Sequence, residues 1–144
     1  MKDKKKILII LENAHSRLSR TVRMRIPTYG IDSCNRKNAT YSRILPYLEP
    51  YFEIRFGETT PLIAPNRNHK QKFPVDHLWI EEMVNSDEWF AIIPACAKAE
   101  KALTEMHIKF DYALPHPVSF KWRKVLIEEC RQFLCDKEKA NGNR

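Results

Sequence analysis

The chain has 144 residues and a formal net charge of +7 at pH 7, and 43% of its residues are hydrophobic. That apolar fraction is enough for the core of one domain and excludes a wholly disordered chain. Only Gly30, Gly57 and Gly142 are glycines, which excludes the dinucleotide fingerprint and the P-loop, because both need closely spaced glycines. The positive charge favours a polyanionic partner, most commonly nucleic acid.

Short apolar runs predict four strands, at residues 7–11, 52–56, 89–93 and 110–114. The first is continuous isoleucine and leucine, typical of a parallel strand buried on both faces. The second alternates apolar and polar residues, typical of a strand nearer an edge. Apolar residues at helical spacing follow each strand, in stripes that begin at Tyr41, Val75, Ala99 and Trp122. Pro46 is expected to kink or end the first helix.

Strand and helix alternate four times, which predicts a single α/β domain with a parallel sheet and right-handed crossovers. Two long polar stretches, residues 16–38 and 57–73, interrupt the alternation. Stretches of that length in a compact domain are typically functional or mobile. The ends, residues 1–5 and 137–144, are expected to be flexible.

The cysteines show no spacing typical of a metal site, since none of the four forms a C-x-x-C pair. No apolar run approaches the roughly 18 residues of a membrane span, and the lysine-rich start lacks the features of a signal peptide. We therefore expect a soluble, cytoplasmic protein with reduced thiols and with no metal, cofactor or membrane partner.

Polar residues follow the first and fourth predicted strands. The first strand runs into Glu12-Asn13-Ala14-His15, and the fourth runs into Pro115-His116-Pro117-Val118-Ser119-Phe120. In open parallel sheets, ligands bind beyond the carboxyl ends of the strands. These two segments are therefore expected to meet at one rim, beside the arginine-rich stretch that follows the first strand.

The same two segments resemble motifs of the uracil-DNA glycosylase superfamily. There, one motif follows the first strand, in forms such as G-Q-D-P-Y-H or G-I-N-P-G, and another follows the last strand, in forms such as H-P-S-P-L. Here, Leu11-Glu12-Asn13-Ala14-His15 occupies the first place without its glycine or proline. The second place holds His116-Pro117-Val118-Ser119-Phe120, which keeps the His-Pro pair and the serine. The asparagine is similar to that of the mismatch-specific branch.

The resemblance in the order of elements covers nearly the whole chain and implies one glycosylase-like domain, residues 1–144. It also implies a three-layer α/β/α sandwich around a four-stranded parallel sheet of order 2-1-3-4. It implies that Asn13 positions the attacking water, that His116 stabilises the departing base, and that Phe120 wedges into the duplex. The alternatives are that Asn13 only ends a strand, that His116 only stiffens its loop, and that Phe120 belongs to the core.

Other residues of the expected rim are assigned by position. The predicted base pocket contains Glu12, His15, Tyr29 and Asn35. The predicted DNA-binding residues, besides Phe120, are Arg17, Arg20, Arg23, Arg25, Ser119 and Lys121. Tyr29 is expected to stack on the extruded base. Glu12 is the reserve candidate for handling the water, because the amide of Asn13 cannot take up a proton.

Together these observations predict a monomeric, monofunctional DNA glycosylase, with DNA as its partner and no protein partner. It would flip a pyrimidine out of DNA and hydrolyse the N-glycosidic bond, leaving an abasic site. The target would be uracil-like or a modified pyrimidine, such as the glucosylated bases of some phage genomes, in repair or in anti-phage defence. The alternatives are a non-catalytic DNA-binding relative and a nucleoside hydrolase or transferase.

Overall fold

The computed structural model describes residues 3–12, 14–15, 22–23, 28–30, 39–64 and 73–142. Side chains of the short strands between residues 14 and 30, and of residues 39, 63 and 64, are not part of that description. The strands are β1 (Lys5–Leu11), β2 (Ala14–His15), β3 (Val22–Arg23), β4 (Thr28–Gly30), β5 (Phe52–Glu58), β6 (Leu62–Ala64) and β7 (Ala91–Pro94). The helices are α1 (Ala39–Ser42), α2 (Leu45–Leu48), α3 (His77–Asn85), α4 (Ala97–Glu105) and α5 (Lys124–Gly142).

The central sheet has the order β4-β5-β1-β7, and its three neighbouring strands β5, β1 and β7 are parallel. Ile7 in the middle strand lies opposite Ile54 on one side and Ala91 on the other. β4 pairs antiparallel with β5, with Tyr29 opposite Phe56. A smaller sheet has the order β2-β6-β3. The α/β class and the parallel arrangement of the first three predicted strands are therefore confirmed.

The predicted four-stranded parallel sheet of order 2-1-3-4 is wrong. Residues 110–114 form no strand, and the fourth strand of the sheet is β4, which is antiparallel and lies at the other edge. β4 comes from the polar stretch at residues 16–38, where the sequence shows no apolar run long enough to indicate a strand. The second predicted strand therefore lies inside the sheet and extends two residues further than expected, to Glu58.

A carboxylate explains why residues 110–114 lie beside β7 without becoming a strand. The backbone N–H groups of Asp111 and Leu114 donate to the oxygens of Ile92 and Pro94, both at 2.9 Å. The N–H of Ile92, however, donates to the Asp111 carboxylate at 2.9 Å and not to a backbone carbonyl. The other carboxylate oxygen is 2.8 Å from Nζ of Lys137. The side chain thus takes the place of a ladder hydrogen bond, which interrupts regular pairing.

Helices cover both faces of the sheet, and the side chains of β1 alternate between the two cores that result. Ile7 and Ile9 pack in a cluster with residues of α2, β5 and α5. Leu8 and Ile10 pack in a second cluster with residues of α3 and α4. All four side chains are fully buried, as the continuous apolar run predicted.

Pro46 lies in the first turn of α2, and the first stripe forms two short helices, in keeping with the expected kink or end at this proline. The other helices differ from their predictions in two places. Leu78 belongs to the apolar stripe that begins at Val75, but it is 74% exposed, because the N-cap at Asp76 sets the helix so that Trp79 and Ile80 face inward. α5 continues to Gly142, through most of the segment expected to be flexible. Within the described residues, no helix combines the length and apolarity needed to cross a bilayer.

Candidate active site

The carboxyl ends of the three parallel strands meet at one edge of the sheet. Leu11 lies opposite Glu58 where β1 and β5 end, and Pro94 ends β7 opposite Ile10. Leu114 bonds to Pro94, so the residues that follow it leave from the same edge. This edge, called the carboxyl edge below, therefore carries Glu12, the buried segment 58–60 and the loop formed by residues 115–121.

His116 is held by its own loop. The N–H of Val118 donates to Nδ1 of His116 at 3.2 Å, and the N–H of Ser119 donates to the His116 carbonyl at 2.9 Å. Because Nδ1 accepts this hydrogen bond, the neutral ring carries its proton on Nε2. The ring is half-buried. Nε2–H is thus a fixed hydrogen-bond donor at the carboxyl edge.

Phe120 is the most exposed large apolar side chain among the described residues, at 84%. Val118, two residues earlier, is 53% exposed. Arg123 donates to the carbonyl oxygens of Phe120 at 2.7 Å and of Trp122 at 2.9 Å. These bonds hold the turn that presents the phenyl ring to solvent. The alternative that Phe120 belongs to the core is wrong. Trp122, in contrast, does pack against the core.

Positive charge surrounds this apolar tip. Lys121, Arg123 and Lys124 follow Phe120 directly and are all exposed. Arg43, at the corner between α1 and α2, donates a guanidinium hydrogen bond to the carbonyl of Pro117. The 115–121 loop is therefore fastened to the helices on one face of the sheet, and it combines an apolar projection with cations that suit phosphates.

The ends of β1 and β5 are joined by a buried polar segment. Glu58, Thr59 and Thr60 are 1%, 0% and 2% exposed. The N–H of Thr59 donates to the carbonyls of Leu11 at 3.0 Å and Glu12 at 3.1 Å. Its hydroxyl donates to the Glu12 carbonyl at 2.6 Å. The backbone of Glu12 is thereby fixed, while its side chain is exposed at the edge.

Cys96, which follows β7 at the same edge, is an unreactive thiol. Its sulfur caps α4 by accepting the N–H of Ala99 at 3.4 Å. Burial raises the pKa of this thiol to about 11, and the charge of Glu12 acts in the same direction. Cys96 is therefore protonated at neutral pH and does not act as a nucleophile.

The structure brings five of the predicted site residues to the carboxyl edge: Glu12, His116, Ser119, Phe120 and Lys121. Three other predicted site residues lie, by the course of the backbone, in short strands: His15 in β2, Arg23 in β3 and Tyr29 in β4. Outside the described residues lie Asn13, Arg17, Arg20, Arg25 and Asn35. Glu12 follows β1, and His116 follows residues 110–114, which lie on the other side of β7. Their backbones are therefore about two strand spacings, ~10 Å, apart.

Sequence reasoning missed Glu58 and Arg43. A signal for Glu58 was present, because it continues the alternating positions of Phe52, Ile54 and Phe56 that face the core. Nothing in the sequence indicates that Arg43 bonds to the 115–121 loop. Comparison of the chain with protein-family models, curated proteins and solved structures finds no match.

Proposed function

We propose that this protein is a monofunctional DNA glycosylase whose active site is the carboxyl edge of the sheet. One observation carries the proposal. A solvent-exposed phenylalanine, Phe120, projects from a cationic loop that also fixes the donor Nε2–H of His116. An enzyme that acts on a base within a duplex needs both a group that enters the stack and a group that stabilises the departing base.

His116 would act on the leaving group. Hydrolysis breaks the bond between the sugar C1′ and the base nitrogen, and the bonding electron pair leaves with the base. Positive charge then develops on the sugar, as in glycoside hydrolysis, and negative charge on the base. A preorganised donor at that negative charge is worth roughly 2.7–4 kcal/mol in other enzymes.

Water would supply the new bond to C1′. Asn13 would orient this water, and its amide accepts no proton. The exposed carboxylate of Glu12, the preceding residue, would accept the proton that the water loses as the bond forms. The base leaves as an anion that is protonated by solvent, so the products are a free base and an abasic sugar.

The 115–121 loop would hold the opened duplex. Extruding a base costs a few kcal/mol, and an apolar side chain that fills the vacated space offsets part of it. Phe120 would fill that space, while Lys121 and Lys124 contact phosphates. The predicted arginines of the stretch 16–38 would extend the same cationic surface.

The wider assignment to the uracil-DNA glycosylase superfamily belongs to the proposal too. It is supported by the parallel order of the first three predicted strands and by the position of His116 beyond residues 110–114. The biological role proposed is repair or anti-phage defence, with a uracil-like or modified pyrimidine as the target.

Alkaline cleavage tests the activity. The protein is incubated with duplex oligonucleotides and phage DNAs of differing base modification, and abasic sites are then cut with alkali. Cleavage by the wild type that is lost in both Asn13→Ala and His116→Ala supports the proposal. Salt-sensitive DNA binding without any cleavage would indicate the non-catalytic relative. Activity confined to free nucleosides would indicate a nucleoside hydrolase or transferase.

A further inference from the structure

One peptide group connects Arg43 to the ring of His116. The carbonyl oxygen of Pro117 accepts a hydrogen bond from the Arg43 guanidinium, and the N–H of Val118 donates to Nδ1 of His116 at 3.2 Å. That oxygen and that N–H belong to the same peptide unit. Because a peptide unit is planar, a bond that fixes the direction of its oxygen also fixes the direction of its N–H. Arg43 therefore acts on the bond that selects which ring nitrogen of His116 carries the proton.

The corner that carries Arg43 is firmly attached to the core, although the side chain of Arg43 is itself exposed. Ile44, the next residue, is fully buried, and its N–H donates to the carbonyl of Tyr41 at 3.1 Å. The ring of Tyr41 packs against that of Phe56 in β5, at 4.7 Å between centroids. The guanidinium therefore extends from a backbone whose position is set by the sheet.

The 115–121 loop benefits from such an attachment. Its turn is closed by a local bond, from the N–H of Ser119 to the carbonyl of His116 at 2.9 Å. A local bond fixes the shape of a turn but not its direction relative to the sheet. Pro117 is buried, and a buried carbonyl without a partner costs free energy. The bond from Arg43 satisfies this carbonyl and also ties the turn to the corner between α1 and α2.

We propose that Arg43 is a positioning residue that holds the His116 ring, through the Pro117–Val118 peptide, with its proton on Nε2, an inference whose catalytic part rests on the glycosylase function proposed above. A cationic donor on the oxygen of a peptide unit polarises that unit, and hydrogen bonds in a chain strengthen one another. The N–H of Val118 then donates more strongly to Nδ1. Nε2–H is thereby kept as the donor to the departing base.

An exposed arginine beside a cationic loop has a second possible use, which is direct contact with a DNA phosphate. A phosphate contact changes the affinity for DNA and its dependence on salt. Positioning of His116 changes the tautomer of the ring and the rate of the chemical step. The two uses are therefore separable by measurement.

Three variants separate these effects. Arg43→Met removes the donor, Arg43→Lys keeps a cationic donor, and Arg131→Met is the matched control. The guanidinium of Arg131 lies 5.8 Å from the centroid of the Tyr51 ring, at the opposite edge of the sheet. Because Arg43 is exposed, its variants should remain folded, which thermal unfolding checks.

Two measurements are made on each variant. Nitrogen NMR of the histidine rings at about pH 9, where a free histidine is neutral, shows which ring nitrogen carries the proton. The signal of His116 is assigned by its loss in His116→Gln. Single-turnover excision is measured on duplexes that carry uracil or a modified pyrimidine, with saturating enzyme, so that differences in affinity do not contribute.

We expect the wild type to hold His116 in the Nε2–H form and Arg43→Met to contain the Nδ1–H form as well. Excision at saturation should slow by roughly 10- to 100-fold in Arg43→Met, because the donor is no longer held in place. Arg43→Lys should recover part of the rate and of the Nε2–H form. Arg131→Met should match the wild type in both measurements.

An Nδ1–H ring in the wild type overturns the inference without any variant. Folded Arg43→Met with its ring wholly in the Nε2–H form also overturns it, and a loss of affinity and salt dependence alone would indicate a phosphate contact. A mixed ring that excises at the wild-type rate overturns the catalytic role of Arg43. Absence of excision from every duplex overturns the proposed function, while the tautomer still decides whether Arg43 positions His116.

Discussion

The carboxyl edge has a buried half, residues 58–60, and an exposed half, the 115–121 loop. In both halves the usual distribution of polar and apolar side chains is reversed. At the ends of β1 and β5, the polar residues Glu58, Thr59 and Thr60 are buried. In the 115–121 loop, the apolar residues Val118 and Phe120 are exposed. Buried polar groups and exposed large apolar groups are the observations that most often mark function. Here both occur at the edge where open parallel sheets bind ligands.

The two halves also differ in what holds them. Thr59 is bonded to the backbone of β1, so the buried half is part of the sheet. The exposed half is held by bonds within its own loop and by Arg43 and Arg123. Substitutions in the buried half should therefore change stability, whereas those in the exposed half should change activity with little effect on stability.

The largest expected effect is that of His116→Ala. Removing one preorganised donor from the departing base should slow single-turnover excision by about 10²- to 10³-fold. Binding to DNA should change little, because the ring contributes no positive charge when neutral. Quenched-flow excision and fluorescence anisotropy measure the two quantities. A loss of less than threefold in excision would remove His116 from the catalytic role.

Phe120→Ala should slow excision from duplex DNA by roughly tenfold, since the vacated position in the stack loses its filling group. Excision from single-stranded DNA should be less affected, because no stacked partner has to be replaced. The free energy of unfolding should stay within about 0.5 kcal/mol, as expected for an exposed side chain. Tyr51→Ala is the matched control, an aromatic residue 46% exposed before β5 at the opposite edge. Equal losses on both DNA forms would contradict a wedge.

Thr59→Val and Ser119→Ala compare stability in the two halves. Thr59→Val keeps the shape but loses a buried hydroxyl bond of 2.6 Å to the Glu12 carbonyl, so it should cost about 1–2 kcal/mol. Ser119→Ala removes an acceptor for the exposed N–H of Lys121 and should cost less than about 0.5 kcal/mol. Urea denaturation measures both. Equal costs would show that the two halves are held alike.

The smallest expected effect is that of Lys121→Ala. If this exposed cation contacts a phosphate, the slope of log affinity against log salt should fall by about one unit. Affinity should weaken equally for all DNA sequences. Glu138, a half-buried residue near the end of α5, provides a control in Glu138→Gln, which should leave the slope unchanged. An unchanged slope in Lys121→Ala would place the DNA elsewhere.

The sequence was most informative where burial is continuous. The apolar run of β1 predicts a strand buried on both faces, and its partners follow from alternation of strand and helix. The fourth strand could not be predicted correctly, because the Asp111 side chain competes with the backbone for the N–H of Ile92. Glu58 lies in the polar stretch of residues 57–73, which hides its place in β5, although the alternation of the strand continues through it.

For the 115–121 loop, the residue types were found but their exposure was not. An apolar residue that precedes a helical stripe, such as Phe120, can face either the core or solvent. Its orientation depends on Arg123 and on hydrogen bonds of the turn, and the spacing of apolar residues does not predict these bonds. The Arg43–Pro117 contact joins residues 74 positions apart, which local patterns do not reveal.

Mass spectrometry of the products tests the central claim most directly. The wild type is incubated in excess with DNA duplexes that carry uracil or a modified pyrimidine, and the free base and abasic sites are counted in the same sample. We predict one free base released per abasic site, with an intact strand until alkali is added. Bound DNA with no free base would contradict the claim that the carboxyl edge is a glycosylase active site.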